Sequence, residues 1–303
     1  MKIVLTNDDG YLSNEIQTLK VALREAGHFV TLVAPVSNQS WGGTTLQASA
    51  SETRLIERGE NEYSLQCEQV IFKNGDPWPA SPVQCYLVGE NILPDLDVLI
   101  SGMNIGQNTE GSSLFSGTIG AVYAGISRVI GTSIVPAIGI SLGEFANEER
   151  VIEGAQFVVK LIDYLSKKRK GKKLLPKGLG LNVNIPGGLP SGEQIQIVGI
   201  SFNRAGGVYN IPGLGDDNYR VISRNGNVFQ NADIFRTPIT DIPYSDNSSL
   251  NEGYITIVPL VADTTANLCD AKKVSKILSR ILTDKSFSHN LNVLKHSVAS
   301  QLK

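Results

Sequence analysis

Short apolar runs alternate with segments of helical spacing along most of the chain. Residues 3–5 form the first apolar run, and after a polar stretch the apolar positions recur every three or four residues up to Gly27. Residues 29–35 form a second apolar run, which ends at a proline. This order predicts a strand, a helix and a second strand, which together make one βαβ unit with a right-handed crossover.

The same alternation continues and predicts an α/β fold. We expect further strands at 96–100, 133–140, 181–186 and 254–260, and helices at 117–130, 149–168 and 272–282. Together these elements predict a Rossmann-like, mainly parallel sheet flanked by helices. Its core would be formed by residues 1–200 and 252–262.

Two segments differ from this core. Residues 201–251 are rich in Gly, Asn and Asp and contain the turn signal Asn225-Gly226, so we expect an extended, irregular β-hairpin there rather than a second catalytic domain. Residues 263–303 are expected to form a C-terminal helix followed by a polar tail. The prediction is therefore one domain over residues 1–303.

The balance of charge excludes some classes of partner. The 303 residues include 27 Lys and Arg against 29 Asp and Glu, a net charge of -2, so no general basic field attracts nucleic acid or an anionic membrane.

Three cysteines without a CxxC pair fit neither a disulfide framework nor a thiolate zinc site. With no secretory signal and no apolar run of the ~20 residues that a membrane span needs, we expect a cytoplasmic protein.

Two adjacent carboxylates, Asp8 and Asp9, follow the first predicted strand. They would stand at the carboxyl end of a parallel sheet, where open α/β folds bind their ligands. Adjacent carboxylates repel each other unless a cation lies beside them, and their hard oxygens suit Mg²⁺, Mn²⁺ or Ca²⁺. The alternative for this motif alone is a tight turn, because an Asp-Gly pair favours turns.

Two further polar loops follow predicted strands. One contains Asn38 and Ser40, and the other contains Asn104 and leads to a helix that begins near Ser116. Their short side chains offer neutral oxygens to a hard cation, while glycines and a helix N-terminus offer N–H groups to a phosphate. Each loop alone is more typical of a surface turn. Three such loops at strand ends favour a metal and phosphate site.

At these positions the chain resembles the SurE-type survival proteins, metal-dependent 5′/3′-nucleotidases also described as acid phosphatases. The resemblance covers residues from 1 to about 265, in the order that the family shows. It rests on Asn7-Asp8-Asp9-Gly10, Ile16-Gln17-Thr18-Leu19, Val33-Ala34-Pro35, Asn38-Gln39-Ser40, residues 101–108, residues 116–121, residues 181–186 and residues 252–260.

The resemblance implies how the site residues divide into ligands of a metal and ligands of a phosphate. The family's metal ligands correspond to Asp8, Asp9, Ser40 and Asn104. These residues would hold one divalent ion per subunit, which is Mg²⁺ or Mn²⁺ or, in crystals, Ca²⁺. Its phosphate-binding residues correspond to Asn108, Ser116, Gly117 and Thr118. Either Asp8 or Asp9 would also orient the attacking water.

The resemblance also implies the partners of the protein. The substrate would be a nucleoside 5′- or 3′-monophosphate or another small phosphomonoester, with no nucleic acid and no membrane involved. In the family, the hairpin and the C-terminal helix exchange between subunits, which implies a homodimer or a homotetramer.

The rim of the site departs from the family pattern. Trp41 stands where the family has glycine after the ligand serine, and it either stacks on a nucleobase or anchors the loop. Tyr11 begins a stretch that lacks the usual proline and glycine, and residues 74–82 are unusually rich in proline. We expect these differences to affect substrate preference more than metal binding.

Other classes of enzyme fit less well, and two alternatives stay open. An aspartyl-nucleophile phosphotransferase needs Asp-x-Asp spacing, and a dinucleotide-binding motif needs several glycines where residues 5–15 contain only Gly10. The three histidines, His28, His289 and His296, lie outside the motifs. A sensor that binds nucleotide or metal without turnover, and a broad-specificity acid phosphatase, would use the same residues.

Overall fold

One mixed sheet carries the fold, and the computed structural model describes it over residues 1–40, 42–46, 52–68, 78–127, 133–143, 146–169, 171–187, 193–197, 245–262, 276 and 291–293. Its strands in these ranges are β1 (Lys2–Thr6), β2 (Phe29–Pro35), β3 (Glu52–Gly59), β4 (Glu62–Glu68), β5 (Trp78–Pro79), β6 (Val98–Ile105), β7 (Ala137–Leu142), β8 (Leu179–Ile185), β9 (Glu193–Ile197), β10 (Tyr254–Val261) and β11 (Leu291–Val293). The helices are α1 (Asn14–Glu25), α2 (Pro82–Ile92), α3 (Gly117–Ile126), α4 (Glu148–Arg169) and α5 (Asp246–Asn251), with a 3₁₀ turn at Glu110–Leu114.

Parallel pairing at the centre of the sheet brings several strand ends to one edge. The strand order is β11-β9-β10-β8-β7-β6-β1-β2-β4-β3, with β5 beside β4. Strand β1 lies between β2 and β6 and pairs with both in parallel, and β6, β7 and β8 continue in parallel. The prediction of a mainly parallel α/β sheet is confirmed. The carboxyl ends of β1, β2 and β6 therefore lie side by side.

Helices cover both faces of this sheet because its strands alternate between two cores. On β1, Ile3 and Leu5 belong to the core that contains α1 and α4, whereas Val4 belongs to the core that contains α2 and α3. Helix α1 is held by Leu19 and Leu23, both wholly buried, and burial of each contributes roughly 2 kcal/mol.

The edges of the fold differ from the sequence prediction. The antiparallel hairpin of β3 and β4 was not predicted. In β3, Leu55 and Ile56 stand among charged residues and give a weak pattern, whereas the alternation of Tyr63, Leu65 and Cys67 in β4 is a strand signal that the prediction missed. The range 201–251 was predicted as a hairpin, but its end forms α5, which begins at a capping box on Ser245. Residues 201–244 lie outside the described part of the chain.

The C-terminal segment also differs in part. Residues 272–282, where a helix was predicted, fall outside the described residues except for Lys276, which is helical. Within the predicted polar tail, Leu291–Val293 forms β11 and pairs in parallel with β9. The described helices include none that combines the length and the apolar character needed to cross a bilayer.

Candidate metal and phosphate site

The loop after β2, the end of β6 and the start of α3 meet at Asp8 and Asp9, which follow β1. The backbone N–H of Gln39, after β2, donates to the carbonyl of Asp8 at 2.6 Å. The backbone N–H of Ile105, at the end of β6, donates to Oδ2 of Asp9 at 3.0 Å. The hydroxyl of Thr118, in the first turn of α3, donates to Oδ1 of Asp8 at 2.7 Å. The structure thus brings together the loops that the sequence placed at strand ends.

The turn around the aspartates is shaped by the residues that flank them. The Nδ2 group of Asn7 donates to the carbonyl of Gly10 and to Oγ of Ser13, each at 3.0 Å, and the N–H of Gly10 donates back to Oδ1 of Asn7 at 3.2 Å. Gly10 has a φ of 100°, and a Cβ there would lie 3.0 Å from the carbonyl carbon of Ser37. Asn7 and Gly10 thus form the tight turn that was the alternative interpretation of this motif. The hydrogen bonds of this turn involve neither the carboxylate of Asp8 nor that of Asp9.

Asp8 is a buried carboxylate held by the start of α3. Only 3% of the residue is exposed. Burial raises its pKa, and hydrogen bonds from the Thr118 hydroxyl and from the backbone N–H groups of Thr118 and Gly117 oppose that rise. A Cβ at Gly117 would lie 2.9 Å from Cβ of Asp8, so the helix approaches this closely only because residue 117 is glycine. The positive end of α3 faces Asp8 itself.

The surroundings of Asp9 disfavour its charged form. Burial and the charge of Asp8 together raise its pKa to about 7, although the N–H of Ile105 lowers it in part. Glu15 adds a smaller repulsion. Two neighbouring carboxylates whose pKa values are both raised in this way are stabilised in their charged form by a cation placed between them.

Ser40 and Asn104 lie in the two segments that contact this pair, the loop after β2 and the end of β6. The carboxamide of Asn38 accepts from the N–H of Ser40 at 2.7 Å and donates to Oδ1 of Asp9 at 3.4 Å, which links the Ser40 loop to Asp9. The Nδ2 group of Asn104 donates to the carbonyls of Ile105 and Gly106, so its Oδ1 is left as an acceptor.

This donor set fits a hard divalent ion. It consists of two carboxylates with neutral hydroxyl and carboxamide oxygens, which are the ligands that Mg²⁺ and Mn²⁺ prefer. In the described ranges of the chain, no group of three or more His, Cys, Asp and Glu residues could hold a metal. Remaining coordination positions would fall to water and to a substrate oxygen.

The residues predicted to bind phosphate divide into two pairs. Ser116 caps α3 by accepting from the N–H of Ile119 at 3.2 Å, which keeps its hydroxyl hydrogen available, and Asn108 is 6% exposed. Thr118 is wholly buried, and Thr118 and Gly117 both donate to Asp8. The structure therefore places these two against a carboxylate, not at an open phosphate position.

Of the two residues predicted at the rim, Trp41 and Tyr11, the structure describes only Tyr11. Trp41 lies outside the described residues. The hydroxyl of Tyr11 donates to Oε2 of Glu62 at 2.8 Å, and the guanidinium carbon of Arg58 lies 5.7 Å from the centre of its ring. Tyr11 is thus bound to β3 and β4, and Glu62 is a partner that the sequence analysis missed because it lies 51 residues away.

Comparison with known proteins gives one family. The family model for survival protein SurE matches residues 3–209. A 5′-nucleotidase SurE of Desulfitobacterium hafniense (strain DSM 10664 / DCB-2) is 31% identical over 269 residues, covering 88% of this chain and 92% of its own. A 5′/3′-nucleotidase SurE of Photorhabdus laumondii is 30% identical over 272 residues, with the same two shares.

A solved structure agrees with the architecture. The crystal structure of the SurE protein from Aquifex aeolicus superimposes with a TM-score of 0.64, covering 92% of this chain and all of that one, at 22% sequence identity. At this identity the likeness shows a common fold, which supports the α/β assignment.

Proposed function

The chain belongs to the SurE family, and from that membership we propose that it is a divalent-metal-dependent phosphomonoesterase that hydrolyses nucleoside 5′- or 3′-monophosphates to nucleoside and inorganic phosphate. The observation that carries the proposal is the meeting of the loop after β2, the end of β6 and the start of α3 on the adjacent carboxylates Asp8 and Asp9. Such a site at the carboxyl edge of a parallel sheet is where this fold class binds its ligands.

Four residues would hold the metal, namely Asp8, Asp9, Ser40 and Asn104. Mg²⁺ or Mn²⁺ bound there would polarise the phosphoryl group and lower the pKa of a coordinated water. The protein's own part is to fix the ligands in advance. Thr118 orients the carboxylate of Asp8, Ile105 orients that of Asp9, and Asn38 links the Ser40 loop to Asp9.

We assign orientation of the attacking water to Asp9. Asp8 is 3% exposed and has Oδ1 occupied by Thr118, whereas Asp9 is only half-buried and its Oδ1 has a single long contact with Asn38. A carboxylate that orients water needs an oxygen within hydrogen-bond reach of the solvent in the site. Asp9 meets this need better than Asp8.

Asn108 and Ser116 would bind the phosphoryl oxygens. Ser116 keeps its hydroxyl hydrogen available at the start of α3, and Asn108 uses one of its two carboxamide N–H groups within the described ranges. Donors fixed before the reaction stabilise the charge that spreads over the equatorial oxygens. Both are polar and uncharged, so the positive charge needed for phosphate binding would come from the metal.

The deciding experiment is an assay of phosphate release. AMP, GMP, their 3′ isomers and p-nitrophenyl phosphate are each supplied with Mg²⁺ or Mn²⁺, and EDTA is then added. We expect release from nucleotides that EDTA abolishes. Equal rates on all substrates would identify a broad-specificity acid phosphatase, and no metal-dependent release from any of them would leave the nucleotide or metal sensor as the function.

A further inference from the structure

A buried polar cluster lies directly behind Asn108. It consists of Ser141 on β7 with Asn182 and Asn184 on β8, and all three residues have no exposed surface. The intervening positions on β8, such as Val183, pack into the core beneath α4, so strand alternation places both asparagines on the opposite face. A carboxamide buried without hydrogen bonds is costly, so these side chains require partners.

Their partner is the backbone of Asn108. The N–H of Asn108 donates to Oδ1 of Asn184 at 2.7 Å. The carbonyl of Asn108 accepts from Nδ2 of Asn182 at 2.7 Å and from Nδ2 of Asn184 at 3.3 Å. Asn184 also donates to Oδ1 of Asn182 at 3.1 Å, which ties the two carboxamides together. Side chains of a central strand thus satisfy both backbone groups of one loop residue.

The side chain of Asn108 is fixed from the same side. One N–H of its Nδ2 donates to Oγ of Ser141 at 2.8 Å. A carboxamide nitrogen has two N–H groups, and the second one of Asn108 makes no hydrogen bond within the described ranges. Ser141 stands opposite Asn104 on β6 and Asn184 on β8, so the cluster lies level with a proposed metal ligand.

We propose that Asn182 and Asn184 are positioning residues for phosphate binding, because they hold the backbone of Asn108 so that its remaining N–H faces the phosphoryl group. This inference rests on the proposed function, which makes Asn108 a phosphate ligand. Strand alternation identifies Asn182 and Asn184 only as polar positions of β8, and the inference assigns them a function.

The test measures binding of inorganic phosphate to the full chain in the presence of Mn²⁺, which requires no turnover. Asn182→Ala and Asn184→Ala should each weaken phosphate binding about tenfold, since a hydrogen bond to a charged group is misaligned. Affinity for Mn²⁺ itself should not change, because within the described ranges neither residue forms a hydrogen bond with a proposed metal ligand. The same variants should raise KM more than they lower kcat.

Two further variants separate positioning from general stability. Asn184→Asp preserves volume and the acceptor for the Asn108 N–H but turns a carboxylate towards the Asn108 carbonyl, so it should also weaken phosphate binding. Thr256→Val is the matched control: Thr256 pairs with Asn184 on the neighbouring strand β10, and its buried hydroxyl has no hydrogen-bond partner in the described part of the chain. It should bind phosphate as the wild type does.

A double-mutant cycle identifies the route of the effect. If Asn184 acts through Asn108, Asn184→Ala should add little to the loss already caused by Asn108→Ala. Full additivity, or wild-type phosphate affinity in both alanine variants, would overturn the inference alone. A wild-type protein that binds no phosphate with Mn²⁺ present would instead defeat the proposed site, and the inference with it.

Discussion

The hydroxyl of Thr118 and the carboxylate of Asp8 are joined by a hydrogen bond of 2.7 Å across 110 residues of chain. Both residues are buried, so no solvent competes for the contact. Backbone N–H groups at the start of α3 support the same carboxylate. The direction in which Asp8 presents its other oxygen is therefore set by a helix that begins far along the chain.

Thr118→Val should weaken Mn²⁺ binding because it removes this hydrogen bond while keeping the shape of the side chain. Groups that orient a metal ligand typically contribute about 10-fold to 100-fold in affinity or activity. Isothermal titration with Mn²⁺ measures the effect, and Thr118→Ser should restore most of the affinity. A valine variant that binds Mn²⁺ like the wild type would show that Asp8 needs no such support.

Gly117→Ala should weaken metal binding at the same site, because the added methyl group would displace Asp8 or α3. The new Cβ would lie 2.9 Å from Cβ of Asp8 and 3.1 Å from Cγ of Pro82, so either α3 or Asp8 must move. We expect Mn²⁺ affinity and kcat to fall together. Gly59→Ala is the control, because the nearest side-chain atom to a Cβ there is 3.7 Å away, an ordinary contact. Equal Mn²⁺ affinity and kcat in the two variants would contradict the close approach of α3 to Asp8.

Asp8→Asn and Asp9→Asn should each abolish metal-dependent phosphate release, since each removes one of the two charges that attract the ion. Binding of Mn²⁺ at 100 times its Kd should stabilise the wild type by about 2.7 kcal/mol, and EDTA should reverse this. Neither variant should show such stabilisation in urea unfolding.

Asp95→Asn is the matched control for these two substitutions. It removes the same charge from a carboxylate that is paired with Lys2 and whose side chain is 67% exposed. It should retain both activity and stabilisation by Mn²⁺. Full activity in both site variants would defeat the assignment of the site.

Glu62→Gln should destabilise the protein at neutral pH and have less effect in acid. The side chain of Glu62 is 12% exposed and accepts from Lys20 at 2.9 Å and from Arg24 at 2.7 Å. Burial raises its pKa, but hydrogen bonds from Lys20, Tyr11 and Arg24 outweigh this and lower the pKa below 4.5. We expect a loss of about 2 kcal/mol at pH 7.

The sign of the pH dependence follows from the lowered pKa. The folded state binds the Glu62 proton less tightly than the unfolded state, so the stabilisation is complete above the unfolded value of 4.5 and is lost as the pH falls through the folded value. Urea unfolding from pH 7 down to about pH 2 measures it, because this range extends well below the unfolded value of 4.5. Glu57→Gln, on the exposed surface of β3, is the control. A constant difference between Glu62→Gln and the wild type over this range would contradict the account.

The position of the site could be predicted from the sequence because it depends on topology. Asp8 and Asn104 follow apolar runs, and parallel strands bring their carboxyl ends to one edge whatever the details of packing. The role of Thr118 could not be predicted, since helical spacing shows that α3 begins near Ser116 but not which group its first turn approaches. That approach depends on contacts between β1 and α3.

The hydrogen-bond partners of the loop residues could not be predicted from the sequence either. Asn182 and Asn184 fit strand alternation as polar positions, and alternation does not show that both are fully buried against Asn108. Tyr11 follows the aspartates directly, which suggested the rim, but its hydroxyl is held by Glu62 on β4. Strand β3 carries too weak an apolar pattern to be recognised in advance, because Leu55 and Ile56 stand among charged residues.

The hydrogen bonds around Asp8 also differ in how much of the chain must fold before they form. The turn made by Asn7 and Gly10 spans three residues and its link to Ser13 spans six, whereas the Thr118 contact requires α3 to be docked on the sheet. A fragment that ends before α3 would keep the turn and lack the group that fixes the carboxylate. Ligand binding at Asp8 is accordingly a property of the completed domain, and its appearance during refolding would report assembly of the sheet's centre rather than of the N-terminal βαβ unit.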